Sequence, residues 1–105
     1  MHIIWNKGLS EIQIYKSANI DRRLFSKIRS DSSYHPQKQT ILPLLISLKL
    51  SISEAEDLLA RAGFAFSPTD TTDVVYRFCI ENQIFDLNVV NELIYETEQA
   101  FSSKY

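Results

Sequence analysis

The chain has 105 residues, 45% of them apolar and 23% charged, with two glycines, three prolines, one cysteine and a formal net charge of −2. This length and composition suit one globular domain with enough apolar material for a core, and they exclude a long disordered region. The lone Cys79 excludes an intramolecular disulfide framework and a multi-cysteine zinc site, which fits a reducing, cytoplasmic setting.

Helix boundary signals are frequent and strand signals almost absent. The spacing predicts a short helix or stub at residues 2–7, with Trp5 packing on the rest, and then helices near 11–18, 22–30, 37–49, 54–62, 71–82 and 87–101. Ser10 with Gln13 has the form of a capping box, with Leu9 and Ile14 as a hydrophobic staple. Asp21 caps the next helix, with Ile20 and Phe25 in the same staple relation, and Asn19 suits a turn that needs a positive φ.

The helix at 37–49 is apolar nearly all round, through Ile41, Leu42, Leu44, Leu45, Ile46 and Leu48, and is therefore expected at the buried centre of a bundle. Pro43 inside it predicts a kink or a late start. The longest apolar run, Ile41-Leu42-Pro43-Leu44-Leu45-Ile46, falls far short of the roughly 18 residues that cross a bilayer. Residues 1–9 lack the pattern of a signal peptide, so no membrane partner is expected.

Ser53 with Glu56 gives another capping box, and Gly63 suits the left-handed position that ends this helix. Asp86 caps the last helix, with Phe85 and Val90 as staple. That helix carries Val90, Leu93, Ile94, Thr97 and Phe101 on one stripe, with Glu92, Glu96 and Glu98 mostly off it.

Groups that could do chemistry are sparse. Cys79 lies on a stripe expected to be buried and is read as a small apolar residue. His2 and His35 have no partner at metal-ligand spacing, so no metal is expected. Glu54, Glu56, Asp57, Asp70, Asp73, Glu92 and Glu96 are read as helix caps and solvated faces. With Gly8 and Gly63 as the only glycines there is no phosphate-cradling loop. No enzyme activity, catalytic residue or cofactor is expected.

The net charge conceals a division. Residues 1–50 hold eight Lys or Arg against three acids, giving +5, while residues 51–105 hold three against ten, giving −7. Such asymmetry points to a polyanion-facing half and an acidic remainder. In the positive half, two short amphipathic helices flank Ala18-Asn19-Ile20-Asp21, a turn too tight for side-by-side packing, and Ile14, Ile20, Phe25 and Ile28 point to one core. This is the sequence shape of a helix-turn-helix.

The run from Ile14 to Ile28, followed by Pro36-Gln37-Lys38-Gln39-Thr40-Ile41-Leu42 and Ser47-Leu48-Lys49-Leu50-Ser51-Ile52-Ser53-Glu54-Ala55, resembles the Cro/C1-type helix-turn-helix family of bacteria and phages. Tyr15 stands where that family prefers alanine, and Asn19 where it prefers glycine. Ala18 to Arg29 and Asp57 to Phe64 also resemble a bacterial subgroup of this fold, often found as an appended C-terminal module.

The resemblance implies an all-α, compact Cro/C1-repressor-like bundle with two additional C-terminal helices. Residues 1–66 would form the helix-turn-helix domain and 67–105 an extension, packed on the same domain or forming a dimer contact. It implies sequence-specific binding of double-stranded DNA, as a transcriptional regulator reading the major groove with residues 22–30. On that helix Leu24, Phe25 and Ile28 face inward. Arg22, Arg23, Ser26 and Lys27 face outward, placed for base edges. Lys16, Arg29, Tyr34 and Lys38 suit phosphates, together with the amides opening the helices near 11 and 37.

Many family members read two half-sites as dimers, so a homodimer through the C-terminal helices is a further expectation, motivated by surplus apolar residues such as Val74, Phe78 and Leu93. The alternative is a protein-interaction adaptor with the same fold that does not bind DNA. The +5 half being also the half with the motif favours DNA.

Overall fold

The computed structural model describes residues 10–31 and 33–102, the last two by backbone alone. The segment expected at 2–7, with Trp5, lies outside these residues. Among them the chain is all-α, with six helices and no strand: α1 (Glu11–Ser17), α2 (Arg22–Ser30), α3 (Lys38–Ser47), α4 (Ile52–Arg61), α5 (Thr71–Glu81) and α6 (Leu87–Ser102).

The apolar run of α3 sets the architecture. Ile41, Leu42, Leu44, Leu45, Ile46 and Ser47, with Leu48 just beyond, are all buried. A helix buried on every side needs neighbours on every side, and α1, α4, α5 and α6 all pack against it. The C-terminal pair therefore returns to the bundle, with α5 on α3, α4 and α6. Ile14 of α1 and Phe25 and Ile28 of α2 enter the same core, with Ile20 packed at its edge, as their spacing predicts.

Pro43 does not delay α3, which begins at Lys38. The proline deprives the Gln39 carbonyl of its helical partner, and Gln39 is exposed, where water can take that bond. Ser47 is the polar residue inside this helix that is buried. Its hydroxyl donates to the Ile14 carbonyl at 2.6 Å and meets the Ser17 hydroxyl, fastening α1 to α3.

Each turn is closed locally. Ser10 and Gln13 form the expected capping box of α1, Asp21 accepts the Arg23 N–H at 3.4 Å, and Asp86 accepts that of Asn88 at 2.9 Å. The α4 cap corrects the sequence reading: the box is Ser51 with Glu54, not Ser53 with Glu56, and α4 begins at Ile52. Both four-residue segments fit the pattern, but α3 closes through Leu50, the helix opens at Ser51, and Ser53 falls inside its first turn.

Four helices end in the same way. Behind α1 the Asn19 N–H donates to the Lys16 carbonyl at 3.1 Å and the Ile20 N–H to that of Tyr15 at 2.9 Å. The equivalent pairs of bonds close α3 through Lys49 and Leu50, α4 through Gly63 and Phe64, and α5 through Gln83 and Ile84. In each, the first residue has positive φ and the second is apolar and turns back toward the core. Asn19 and Gly63 announce this conformation; Lys49, at φ 53°, and Gln83, at φ 57°, do not.

Asp73 also departs from expectation. It is not a solvated cap, a role Asp70 fills, but is 2% exposed, with its carboxylate paired to Lys38 and accepting the Ser67 N–H at 2.7 Å. One buried carboxylate thus joins the start of α3, the loop before α5, and α5 itself.

Two measurements check this packing. Replacing Lys49 by Gly removes a side chain from a left-handed position and is expected to stabilise the fold by about 0.5–1 kcal/mol, net of unfolded-chain entropy, in urea unfolding. Burial pushes the Tyr76 hydroxyl up to about 12, with Cys79 adding to the effect. Below about pH 10 the phenol is protonated in folded and unfolded chains alike. As pH rises from there toward 12 only the unfolded chain gives up the proton, so stability falls over that window. The Tyr76→Phe variant should lose less stability between these pH values than the wild type.

Candidate nucleic-acid interface

The helix α2 has two sides. Phe25 and Ile28 are buried and Leu24 half-buried, while Arg22, Arg23, Ser26, Lys27, Arg29 and Ser30 are exposed. Spacing alone imposes this: 24, 25 and 28 fall within one third of the helical circle, and 22, 23, 26, 27 and 30 lie opposite. The helix is oriented from α1, where the Tyr15 ring meets the Phe25 ring with centroids 5.6 Å apart and Glu11 pairs with Arg29 at 3.0 Å.

Among the described residues, no carboxylate forms an ion pair with Arg22, Arg23 or Lys27. The Lys27 ammonium lies over the Tyr34 ring, 5.8 Å from its centroid, where the π face attracts a cation while leaving it open to water. The helix termini are less anionophilic than its face. Asp21 accepts the Arg23 amide in the first turn of α2, and Asp31 follows its last turn. The hydroxyl and then the N–H of Ser33 hold the Asp31 carboxyl below its ordinary range, with Lys27 contributing further.

The expected phosphate ligands separate into different situations. Lys16 is exposed, in the last turn of α1, and Tyr34 is half-buried beside Lys27. Arg29 is engaged with Glu11, though both side chains are about half exposed and water-screened. Lys38 is committed elsewhere, its ammonium held by the buried Asp73 on α5. Of the helix openings expected to meet phosphate, α1 is closed by its own capping box, whereas Gln37 makes no side-chain cap on α3.

The face brought together is therefore Arg22, Arg23, Ser26 and Lys27, with Tyr34 beside Lys27; Arg29 is paired with Glu11, Lys38 is spent on packing, and Lys16 lies instead in a pocket with Phe85, Asp86, Leu87 and Asn88 at the opening of α6. Glu11, the partner that holds Arg29, was not singled out by sequence reasoning. Glu11 and Arg29 lie on different helices, so no local spacing marks them as a pair.

No group of three or more His, Cys, Asp or Glu residues that could hold a metal comes together among the described residues, and no described helix is long and apolar enough to cross a membrane. The thiol of Cys79 is buried, and burial pushes its pKa up. No protein-family model, curated protein or solved structure matches this chain. What the fold defines is its class, a compact all-α globule of six helices among the described residues.

The Glu11–Arg29 and Lys38–Asp73 ion pairs should differ sharply in worth. Arg29→Ala removes an exposed pair and is expected to change stability by less than about 0.5 kcal/mol. Lys38→Ala strands a buried carboxylate and should cost roughly 3 kcal/mol. Urea unfolding of the two variants distinguishes them.

Proposed function

We propose that this chain is a helix-turn-helix module of the Cro/C1 type that binds double-stranded DNA, with the outer face of α2 in the major groove. The observation that carries this reading is the cluster of Arg22, Arg23 and Lys27, exposed and without ion-pair partners among the described residues, around Ser26 on one face of a short helix. Arg22 and Arg23 sit in the first turn, the part of a recognition helix that approaches base edges, where a guanidinium can bond guanine O6 and N7 together. Arg29, on the same helix, and Tyr34, beside Lys27, supply phosphate contacts that fix orientation without reading sequence.

A second reading, an adaptor that binds protein, is supported by Ile12, Val74, Phe78 and Tyr95, large apolar side chains left exposed. It predicts no dependence on the arginines of α2.

Fluorescence anisotropy with random and genomic duplexes separates the two. With about three or four phosphates neutralised, raising salt from about 50 to about 200 mM should weaken binding roughly 40- to 150-fold. Changing Arg22 and Arg23 together to Ala should weaken binding at least about tenfold and relax the preference among duplex sequences. Absence of binding at low salt, or binding indifferent to the double substitution, removes the DNA reading.

A further inference from the structure

Arg29 stands apart from the other cations of α2. Among the described residues no carboxylate pairs with Arg22, Arg23 or Lys27, whereas the Arg29 guanidinium lies 3.0 Å from the Glu11 carboxylate. The pair joins two helices, from the first turn of α1 to the last turn of α2. At 100° per residue Arg29 falls about 20° from Arg22 round the helix and about two turns further along, so it continues the edge of the outward face that Arg22 begins. Both members of the pair are about half exposed, so an anion from solution reaches the guanidinium without any buried group being uncovered.

We propose that Glu11 is a competitor for Arg29 built into the fold: it holds the guanidinium while the α2 face is empty and yields it to a phosphate when a duplex docks. The proposal rests on the DNA reading of α2 and adds the carboxylate that opposes it. A phosphate diester carries the same single charge as a carboxylate and accepts the same fork of N–H groups, so one charge-assisted pair replaces another. Glu11 keeps its place when Arg29 leaves, because the capping box of Ser10 and Gln13 fixes the start of α1. Its freed carboxylate then faces the phosphates, and like charges repel. An anion that meets Arg29 alone therefore gains little, whereas a duplex also held at Arg22, Arg23 and Lys27 offsets that cost. Glu11 thereby favours a polyanion laid along the whole face over an isolated anion at one end.

The other ion pairs do not work in this way. Taking Lys38 from Asp73 strands a buried carboxylate, and the pairs Arg61–Asp57 and Arg77–Glu81 lie on α4 and α5. Lys27 needs no release, since the Tyr34 ring leaves its ammonium open to water.

Fluorescence anisotropy of the whole chain with a duplex at low salt, in a double-substitution cycle, tests the proposal. Glu11→Gln should tighten binding about two- to fivefold, the reciprocal of what an exposed pair is worth. In a chain that also carries Arg29→Ala, the same substitution should tighten binding at least about twofold less, because no pair is left to break. A carboxylate acting only through its charge near DNA would tighten both chains equally. Each variant should still unfold in one cooperative urea transition, since neither side chain is buried. Absence of duplex binding by the wild type would overturn the DNA reading and this proposal with it. Binding that depends on Arg22 and Arg23 but ignores Glu11→Gln, or responds to it equally in both chains, would overturn this proposal alone.

Discussion

Everything in this structure is arranged around one helix that cannot be left facing water. From Ile41 to Leu48 every side chain but that of Pro43 is buried. Each aliphatic side chain withdrawn from water there contributes roughly 2 kcal/mol before conformational entropy is subtracted. A cylinder apolar all round needs cover all round, which is why α1, α4, α5 and α6 lie against it and why the acidic C-terminal pair folds back. The Ser47 hydroxyl, bonded to the Ile14 carbonyl, adds direction to this otherwise non-directional demand by fixing where α1 sits along α3.

The position of α2 follows from that arrangement. It enters the core through Phe25 and Ile28 and is steadied from α1 by the Tyr15 ring and the Glu11 carboxylate. A helix of nine residues anchored along one side has its other side free, and the sequence places Arg22, Arg23, Ser26 and Lys27 there. The contrast with Lys38 is informative. The two sites carry the same kind of charge, but Lys38 neutralises a buried carboxylate and serves the fold, whereas Lys27 rests on an aromatic face and stays available.

Most of this was legible in the chain because most of it is local. The periodicity of α2 and α6, the caps at Ser10, Asp21 and Asp86 and the all-round apolarity of α3 are properties of neighbouring residues, and the helices form where those properties place them. Misreadings arose where two local solutions competed or where the partner was distant. Ser51 and Ser53 both head a four-residue capping pattern, and only the closing turn of α3 at Leu50 decides between them. Lys49 and Gln83 give no sign of a left-handed backbone; the apolar residue after each, Leu50 and Ile84, draws the chain back and imposes it. Asp73 looked like a surface acid because its partners, Lys38 and the Ser67 N–H, come from elsewhere in the chain. The outward side of α2 was readable, whereas the loss of Lys38 to packing was not.

The proposed function has a polyanion meet the outward face of α2. Titrating the isotopically labelled chain with a short DNA duplex, and following every backbone amide by NMR, tests it residue by residue. Shifts should concentrate in residues 22–30 and at Tyr34, with α5 and α6 unmoved. Shifts centred on α5 or α6, or a spectrum indifferent to saturating duplex at low salt, would contradict it.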